Sequence, residues 1–339
     1  MADLMRRFEE MYRRDARFIR PWLVEWRYQK KRRVLGKQYE GGLPSDFFAY
    51  HGPDDLVKWM RWFENMAYPD FLGKEKTGTL VQTSLKTDTR ILQQLGLELP
   101  SGACLEHIAL NNAHDYLLPR ATPAPARRAI KKVLDFGAGY GRQAALWGST
   151  EPDRQYVAMD ATPNAYCLQH LYFSQTGLPF REYWDTEKLD IQAELGKIVH
   201  LPTWRYDLLP DNHFDLVMCV QVLPELSSKL VREMIAQFRR VLKPGGMLYL
   251  RDNAEIWKPA GKMNVDAYLA SQGFSLEYKP HLVNNRDLHG VVRCWRKNDP
   301  EVVDIWNSRP ERGLKSTIMD IDFRLGGILS RMFKRLKGA

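Results

Sequence analysis

The chain has 339 residues, of which 44% are hydrophobic, so it is long enough to bury a sizeable core in one large domain or two. Its formal net charge of +9 at pH 7 favours an anionic partner, such as nucleic acid, a phosphorylated substrate or a membrane surface. We find no N-terminal apolar segment of a cleaved signal and no apolar run of about 18 residues, and therefore expect neither secretion nor a spanning helix.

The cysteines are widely separated and include no Cys-x-x-Cys pair; they are Cys104, Cys167, Cys219 and Cys294. This pattern is typical of a reducing compartment rather than of a disulfide framework. Cys219 lies in an apolar run and is interpreted as a small core residue. We therefore expect a cytoplasmic protein.

Residues 1–126 are predicted to be a mainly helical region that covers the substrate or mediates association. Aromatic and apolar residues recur at helical spacing near the start of the chain, namely Phe8, Met11, Tyr12, Phe18, Trp22 and Trp26. This stripe either packs on the rest of the chain or binds lipid or nucleic acid. Further helices are predicted at residues 54–67, 77–97 and 105–118. The Pro-rich stretch 121–126 ends this region.

A strand, a glycine loop and a helix are predicted around residues 129–147. An apolar stretch ends at Asp135, and Gly137, Gly139 and Gly141 follow as Gly-x-Gly-x-Gly. Such a loop brings backbone N–H groups close to a ligand, and glycine permits both the turn and the approach. A dinucleotide site would have a further glycine where Arg142 stands, and a phosphate loop with Gly-Lys-Ser/Thr is also absent.

Strands and helices are then predicted to alternate up to residue 298. The predicted strands are 156–160, 197–201, 214–220, 247–250, 274–281 and 291–295, and the predicted helices are 164–176, 227–242 and 265–272. Phe180, Tyr183 and Trp184, in the long connection before the third strand, line a pocket or cover the sheet edge. In an open α/β sheet, a ligand lies at the carboxyl ends of the strands.

The ordered motifs resemble the class I S-adenosyl-L-methionine (SAM) methyltransferases. The glycine loop after Asp135 is similar to motif I of this superfamily, and Asp160 ends the second strand 19 residues after Gly141. Phe214-Asp-Leu-Val-Met-Cys-Val220 resembles the fourth strand, and Leu242-Lys-Pro-Gly-Gly246 the turn before the fifth. The resemblance implies an α/β, Rossmann-like seven-stranded sheet with an antiparallel last strand and a helical N-terminal extension. Residues 127–298 would form its SAM-binding core.

The resemblance also implies where SAM binds. Asp160 would hold the ribose hydroxyls, because both carboxylate oxygens accept hydrogen bonds. Trp204, after the third strand, would stack on adenine or would simply be a packed core residue. The other cofactor-binding candidates are Asp135, Gly137, Ala138, Gly139, Gly141, Ala161, Val220 and Gln221.

The chemistry requires positioning of the acceptor and, for a hydroxyl, a base or a metal. Enzymes that methylate amino groups carry Asn/Asp-Pro-Pro-aromatic after the fourth strand, whereas this chain has Gln221-Val-Leu-Pro-Glu225. This segment resembles small-molecule methyltransferases, in which a histidine often stands where Glu225 does. Candidates for the base are Glu225, Asp252 and His289, with the His114–Asp115 pair as a further one. Each of these three also has a non-catalytic alternative. Glu225 could cap a helix N-terminus, Asp252 could form a turn, and His289 could lie in a solvated loop.

Candidates for acceptor binding are His114, Tyr140, Arg142 and Asn253. Arg142 is unusual because a cation in the first turn of a helix opposes the helix dipole. It is predicted to pair with Asp135 or Asp160, or to face an anionic substrate. His107 and His114 lack the spacing of a metal site, so no metal ligands are predicted and nothing indicates a divalent cation.

Gly139-Tyr-Gly-Arg142 and the segment 160–172, with Gln169 and Leu171-Tyr172, are similar to sugar O-methyltransferases of bacterial surface-polysaccharide clusters. This resemblance implies methylation of a hydroxyl on a nucleotide- or lipid-linked glycan. The alternatives are a small-metabolite methyltransferase, an RNA methyltransferase and a non-catalytic binding subunit. Nucleic acid is disfavoured because no RNA-binding motif accompanies the charge. The oligomeric state is not indicated.

The C-terminal extension, residues 299–339, contains a predicted basic amphipathic helix at 324–339. Leu325, Ile328 and Leu329 lie on its apolar face, and the segment has five basic residues and no acid. Such a helix suits the headgroup layer of an anionic membrane, which would place the protein peripherally on the inner face. The alternative is a tail that docks on its own domain or on a partner subunit.

Overall fold

A computed structural model describes residues 2–18, 50–63, 70, 72–120, 130–186, 188–223, 226, 228–252, 263–278 and 291–298. Several predictions lie outside these residues: the part of the aromatic stripe at Trp22 and Trp26, the residues Glu225, Asn253 and His289, and the whole C-terminal extension.

The core is one eight-stranded sheet. Its strands are β1 (Lys132–Phe136), β2 (Gln155–Asp160), β3 (Phe180–Glu182), β4 (Ile198–Pro202), β5 (Phe214–Val220), β6 (Leu242–Asp252), β7 (Phe274–Tyr278) and β8 (Val291–Lys297). They lie in the order β3-β4-β2-β1-β5-β6-β8-β7. Strands β1 to β6 pair in parallel, and β8 pairs antiparallel with both β6 and β7.

This architecture confirms the predicted fold class, with one strand more than expected. The addition is β3, which lies at the edge of the sheet beside β4. It has only three residues, too few for an alternating pattern to reveal it. Phe180, one of the three aromatic residues considered for a pocket or the sheet edge, is the first residue of this edge strand.

Eight α-helices flank the described sheet: α1 (Ala2–Arg14), α2 (Asp54–Arg61), α3 (Lys74–Gln94), α4 (Gly102–Leu117), α5 (Arg142–Thr150), α6 (Pro163–Thr176), α7 (Ser228–Val241) and α8 (Val265–Ser271). Helices on both faces of a parallel sheet explain why strands such as β4 are buried at every position. Among the described residues, no helix is both long and apolar enough to cross a membrane.

The aromatic stripe of the first helix packs on the core. In α1, Phe8 is 4% and Met11 2% exposed. The Phe8 ring meets the rings of Tyr166 and Trp204 edge-on, with centroid distances of 5.7 and 5.8 Å. These contacts follow from the helical spacing of the apolar residues, which places them on one face.

Helix α4 carries an unusual number of buried polar residues. It begins at Ser101, whose hydroxyl accepts a hydrogen bond from Cys104 N at 3.2 Å. Its second half buries four consecutive or nearly consecutive polar side chains, those of Asn111, Asn112, His114 and Asp115. Buried polar groups require partners. Arg142 of α5 and Arg251 of β6 bind Asn112 and Asp115, and His114 pairs with Asp70, which precedes α3.

Candidate active site

The glycine loop connects β1 to α5 and is fastened to the end of β2. The N–H groups of Gly137 and Ala138 both donate to Met159 O, at 2.8 and 3.0 Å. Gly137 has φ of +82°, and a Cβ there would lie 2.0 Å from Val222 Cγ2. A Cβ on Gly139 would instead meet nothing closer than the Trp59 ring at 3.6 Å. The loop is thus tightly packed against Val222 at Gly137. At Gly139 there is space between the loop and Trp59 of α2.

Asp160 lies beside this loop as expected. Its Oδ2 accepts from Gly139 N at 3.2 Å, and its Oδ1 accepts from Ala161 N at 2.7 Å and from Thr162 N at 3.3 Å. These backbone groups orient the carboxylate at the carboxyl end of β2. A carboxylate accepts hydrogen bonds through both oxygens, which is the chemistry that binds the hydroxyl groups of a ligand.

Asp135 supports the loop from within the sheet. It is 4% exposed, and the hydroxyl of Tyr156 donates to its Oδ2 at 2.7 Å. Burial raises the pKa of this carboxyl to about 7, although Tyr156 and Arg142 act in the opposite direction. The hydrogen bond between Tyr156 of β2 and Asp135 of β1 joins the two strands next to the loop.

The end of β5 contains a strained residue. Gln221, directly after Val220, has φ of +61°, which is uncommon for a residue with a side chain and costs about 1–3 kcal/mol. Its N–H donates to Arg251 O at 2.9 Å. Its buried side-chain Nε2 has no hydrogen-bond partner among the described residues. A strained backbone with an unused buried donor is typical of a ligand site.

Trp204 lies under α1. It is 1% exposed, its Nε1–H donates to Asp15 Oδ2 at 3.0 Å, and Tyr12 meets its ring at a centroid distance of 5.4 Å. An adenine ring could stack on Trp204 only if α1 moved away. In this arrangement Trp204 is a packed core residue, the other of the two roles considered from the sequence.

Arg142 binds α4 rather than the carboxylates predicted for it. Its Nη1 donates to Asn112 Oδ1 at 3.0 Å, and its Nη2 to Asn111 Oδ1 at 3.0 Å. Asp115 Oδ2 lies 3.4 Å from Nη2 and is the only carboxylate of the described residues within salt-bridge distance. The predicted pairing with Asp135 or Asp160 is wrong, because α4 packs across the first turn of α5 and presents nearer oxygens.

A second guanidinium joins the same group. Arg251 of β6 donates through Nε and Nη2 to the two oxygens of Asp115 at 2.8 and 2.7 Å, and through Nη2 to Asn111 Oδ1 at 2.8 Å. The hydroxyl of Tyr249 also donates to Asp115, at 2.6 Å. Burial raises the pKa of Asp115, but Arg251 and Arg142 outweigh it, so the pKa lies below its ordinary value. Asp115 therefore remains ionised.

Sequence reasoning missed Arg251 and Asn111. The available signal was a lone arginine in the otherwise apolar run Leu248-Tyr-Leu-Arg251, since a charged residue inside a buried strand needs a partner. The run Asn111-Asn-Ala-His-Asp115 was the matching signal on the helix.

His114 pairs with an acid that sequence reasoning did not identify. Its Nε2 lies 3.2 Å from Asp70 Oδ1, and Asp70 Oδ2 accepts from the Thr77 hydroxyl at 2.7 Å. Burial lowers the pKa of His114, although Asp70 opposes this. An Nε2–H donated to Asp70 leaves Nδ1 as the basic nitrogen, the arrangement by which an acid orients a general base.

Two other candidates lie deep in the fold. Asp252, the last residue of β6, is 0% exposed, and its Oδ2 is 4.0 Å from Arg293 Nη2. Tyr140 is 1% exposed and packs edge-on against Tyr172, with a centroid distance of 5.2 Å. The structure thus brings the glycine loop, Asp160 and Gln221 together, and α4, which carries His114, packs on Arg142 at the start of α5.

Residues 134–248, which contain the loop, Asp160 and Gln221, match the family model described as a methyltransferase domain. The chain carries a class I SAM-dependent methyltransferase domain. The chain also matches, at 42% identity over 53 residues, a ubiquinone/menaquinone biosynthesis C-methyltransferase, UbiE, of Cupriavidus necator. That match covers 16% of this chain and 21% of the relative, so it spans about a fifth of the relative's length.

Solved methyltransferase structures are similar as well. The N-methyltransferase NodS from Bradyrhizobium japonicum, in complex with S-adenosyl-L-homocysteine, is 14% identical; the alignment covers 66% of this chain and all of NodS, with a TM-score of 0.39. The carbon methyltransferase CurJ is 12% identical over 82% of each chain, also with a TM-score of 0.39.

The residues of the methyltransferase domain fit SAM. There is room for a ligand beside the Cα of Gly139, backbone N–H groups orient the Asp160 carboxylate, and the buried Gln221 Nε2 has no hydrogen-bond partner among the described residues. In the part of the chain that the structure describes, no group of three or more His, Cys, Asp or Glu side chains is arranged to hold a metal ion.

Proposed function

We propose that this chain transfers a methyl group from SAM to a hydroxyl of a sugar or glycan, in the synthesis of a bacterial surface polysaccharide or glycolipid. The observation that carries the methyl-transfer part is the contact of Asp160 Oδ2 with Gly139 N, which sets a ribose-binding acid against the glycine loop. The hydroxyl acceptor is supported by the sequence after β5, which lacks the Asn/Asp-Pro-Pro-aromatic motif of amino-group methylation.

When bound, SAM supplies an electrophilic methyl group on a sulfonium, which an in-line oxygen can attack. The C–O bond forms as the S–C bond breaks, and the hydroxyl proton passes to a base of the chain. His114, oriented by Asp70, is one candidate for this base, and Asp252 is another. Glu225 and His289 remain candidates from the sequence.

The segments that resemble sugar methyltransferases support the loop. Gln169 Nε2 donates to Gly139 O at 2.7 Å, and the Tyr172 ring packs on Tyr140 of the loop. Gln169 is 0% and Tyr172 1% exposed, so neither side chain faces an acceptor. Their role in the structure is to hold the glycine loop on α6, and the sugar acceptor therefore needs a direct test.

A small-metabolite acceptor is the second candidate. It is favoured by the similarity to a relative named as a quinone C-methyltransferase. A carbon acceptor would take the methyl group on carbon and lose its proton there, so the product distinguishes the two proposals.

Incubation with SAM labelled in the methyl group tests both candidates. The purified chain is mixed with fractionated glycolipid, small metabolites and RNA, and the labelled product is separated and its methylated atom identified. We expect label in the glycan fraction, and less of it with the Asp160→Ala variant at limiting SAM. Label confined to metabolites or RNA would overturn the glycan acceptor, and no label in any fraction would overturn methyl transfer.

Four substitutions then locate the base. We expect one of His114→Asn, Asp252→Asn, Glu225→Gln or His289→Ala to lower turnover by roughly 10²- to 10⁴-fold while affinity for S-adenosyl-L-homocysteine is unchanged. Wild-type turnover in all four would mean that the base lies elsewhere. Loss of turnover on adding a chelator, restored by Mg²⁺, would indicate metal assistance instead.

We propose further that the basic C-terminal extension brings the active site to a lipid-linked acceptor. This proposal is supported by its five basic residues and lack of acids between residues 324 and 339. We expect the full chain, but not one ending at Asp322, to sediment with anionic vesicles at low salt. Equal recovery of both chains in the supernatant would exclude a membrane anchor.

A further inference from the structure

Two aromatic rings at the end of α2 lie along the glycine loop. Trp59 and Phe63 are four residues apart, and the helical turn continues to Phe63, whose N–H donates to Met60 O at 2.9 Å. The three atoms nearest to a Cβ built on Gly139 all belong to the Trp59 indole, at 3.6 to 4.0 Å. The Phe63 ring centroid lies 5.5 Å from Cζ of Arg142, the first residue of α5. One face of α2 therefore presents both rings to the loop and to the helix that follows it.

Helix α4 fixes the position of these rings. The Cys104 Sγ donates to Met60 O at 3.1 Å, and His107 Nδ1 lies 3.3 Å from Phe63 O. Met60 is 0% exposed, whereas Trp59 and Phe63 are only partly buried against the core. The helix is thus anchored through its backbone and its buried side chain. Rigid aromatic rings held in this way lose little conformational entropy when a ligand packs on them.

A wall of aromatic rings beside the loop suits the acceptor of a methyl group. The acceptor must approach the methyl group in line, so it contacts the surfaces that border the glycine loop outside the sheet. A sugar ring has apolar C–H faces, which pack on the electron-rich face of an aromatic ring, and hydroxyl groups, which need polar partners. Polar side chains are close by, because Arg142, next to Phe63, binds Asn111 Oδ1 at 3.0 Å. Aromatic rings with a few polar groups are the usual lining of a small-molecule site.

We propose that Trp59 and Phe63 form an aromatic platform on which the ring of a sugar acceptor packs, and that this platform determines acceptor specificity. The inference rests on the proposed function, because it concerns the acceptor of the same methyl transfer. The platform binds the acceptor and does not touch the bonds that change. Removal of a ring should therefore raise the KM for the acceptor more than it lowers kcat.

The first arm of the test is kinetic and uses the glycan fraction that takes up label. Trp59→Leu removes the ring and keeps an apolar side chain, while Trp59→Phe keeps a smaller ring. Trp62→Leu is the matched control, because Trp62 ends the same helix, is 43% exposed and is not among the atoms nearest to Gly139. We expect Trp59→Leu to raise the KM for the glycan about tenfold and Trp59→Phe to raise it less. Trp62→Leu should leave the KM unchanged, and all three variants should bind S-adenosyl-L-homocysteine as the wild type does in calorimetry.

The second arm detects the packing directly and needs no turnover. The aromatic protons of the full chain are irradiated in a saturation-transfer NMR experiment, with S-adenosyl-L-homocysteine and millimolar glucose, galactose, mannose or rhamnose present. We expect saturation to reach the C–H protons on one face of at least one sugar in the wild type and in Trp62→Leu. The transfer should be weaker in Trp59→Leu, because the ring that relays it is gone.

The outcomes separate this inference from the proposed function. If no glycan is methylated, the proposed function fails, while saturation transfer still decides whether the platform binds a sugar. If Trp59→Leu behaves like Trp62→Leu in both arms, the inference fails. It also fails if Trp59→Leu weakens binding of S-adenosyl-L-homocysteine, since the ring then belongs to the cofactor site, or if the ring is needed only for a labelled small metabolite. Circular dichroism confirms that each variant folds before its constants are compared.

Discussion

Two buried polar clusters, on opposite sides of β2 and β1, each place one carboxylate between two basic side chains. In the arginine cluster, Asp115 lies between Arg142 and Arg251. In the histidine cluster, Glu182 Oε2 is 2.8 Å from both His170 Nδ1 and His200 Nδ1, and its Oε1 accepts from the Tyr166 hydroxyl at 2.7 Å. The arrangements look alike, but their charges differ.

The difference comes from the chemistry of the bases. Burial raises the pKa of Glu182, but His200 and His170 outweigh it and bring the pKa to about 2, while burial lowers the pKa of His200. His200 can therefore lose its proton and become neutral, and the hydrogen bonds of the cluster are made among residues at the edge of the sheet. The guanidinium groups of the arginine cluster stay charged, and the cluster borders the glycine loop. Similar geometry thus gives one cluster whose bases can become neutral and one whose bases cannot.

The largest expected effect comes from removing the shared acid of the arginine cluster. Asp115→Asn leaves two buried guanidinium groups without a carboxylate, which should lower the free energy of unfolding by about 3–5 kcal/mol. Glu182→Gln leaves imidazoles that can be neutral and should cost less, about 1–3 kcal/mol. Urea unfolding at pH 7 measures both. Equal losses of unfolding free energy in the two variants would contradict the difference in charge that we assign to the two clusters.

The histidine cluster should also respond to acid. The pKa of Glu182 is depressed from 4.5 to about 2, so its stabilisation is present above pH 4.5 and is lost as the pH falls towards 2. This amounts to roughly 3 kcal/mol. The depressed pKa of His200 adds a loss of the same sign, beginning below its ordinary value of 6.5.

The measurement is the free energy of unfolding as a function of pH for the wild type and Glu182→Gln. The gap between the two curves should narrow from pH 4.5 downwards, whereas the gap for Asp115→Asn should persist until the pH falls below 3.8, the ordinary value for that carboxyl. A Glu182→Gln gap that is constant with pH would contradict the assignment.

Cofactor affinity should distinguish the regions as well. Asp160→Ala removes the carboxylate beside Gly139 and should weaken binding of S-adenosyl-L-homocysteine by about 1.5–3 kcal/mol, the scale of a charge-assisted hydrogen bond. Glu182→Gln is the control and should bind as the wild type does. Calorimetry gives both dissociation constants. Unchanged affinity in a folded Asp160→Ala variant would contradict the assignment of Asp160 as the acid that binds the ribose.

The smallest effect on the free energy of unfolding is expected from Thr162, which caps a helix that contributes to both the glycine loop and the histidine cluster. Thr162 caps α6 by accepting from Ala165 N at 3.2 Å, and α6 carries both Gln169 of the loop support and His170 of the histidine cluster. Thr162→Ala should lower the free energy of unfolding by about 1 kcal/mol. Thr162→Ser keeps the cap and should restore most of this, while a loss shared by both variants would point to packing instead.

Much of the fold could be predicted from local pattern. The strand Phe214–Val220 was expected at the observed bounds, and α6 was expected one residue short of its start at Pro163. In both segments the spacing of the apolar residues fits only one type of secondary structure. The left-handed backbone of Gln221 could not be predicted, because no glycine marks it and it depends on the hydrogen bond to β6.

The sequence by itself determined the class of the protein, since the glycine loop, Asp160 and the motifs after β4 are short segments whose order and spacing carry the information. Only the tertiary structure decided what surrounds the loop. The acid bound by Arg251 lies 136 residues away on α4, and Trp204 is covered by Asp15 from 189 residues earlier. Such partners are selected by the packing of helices on the sheet. Local periodicity predicts which face of an element is buried, but not which polar group will meet it there.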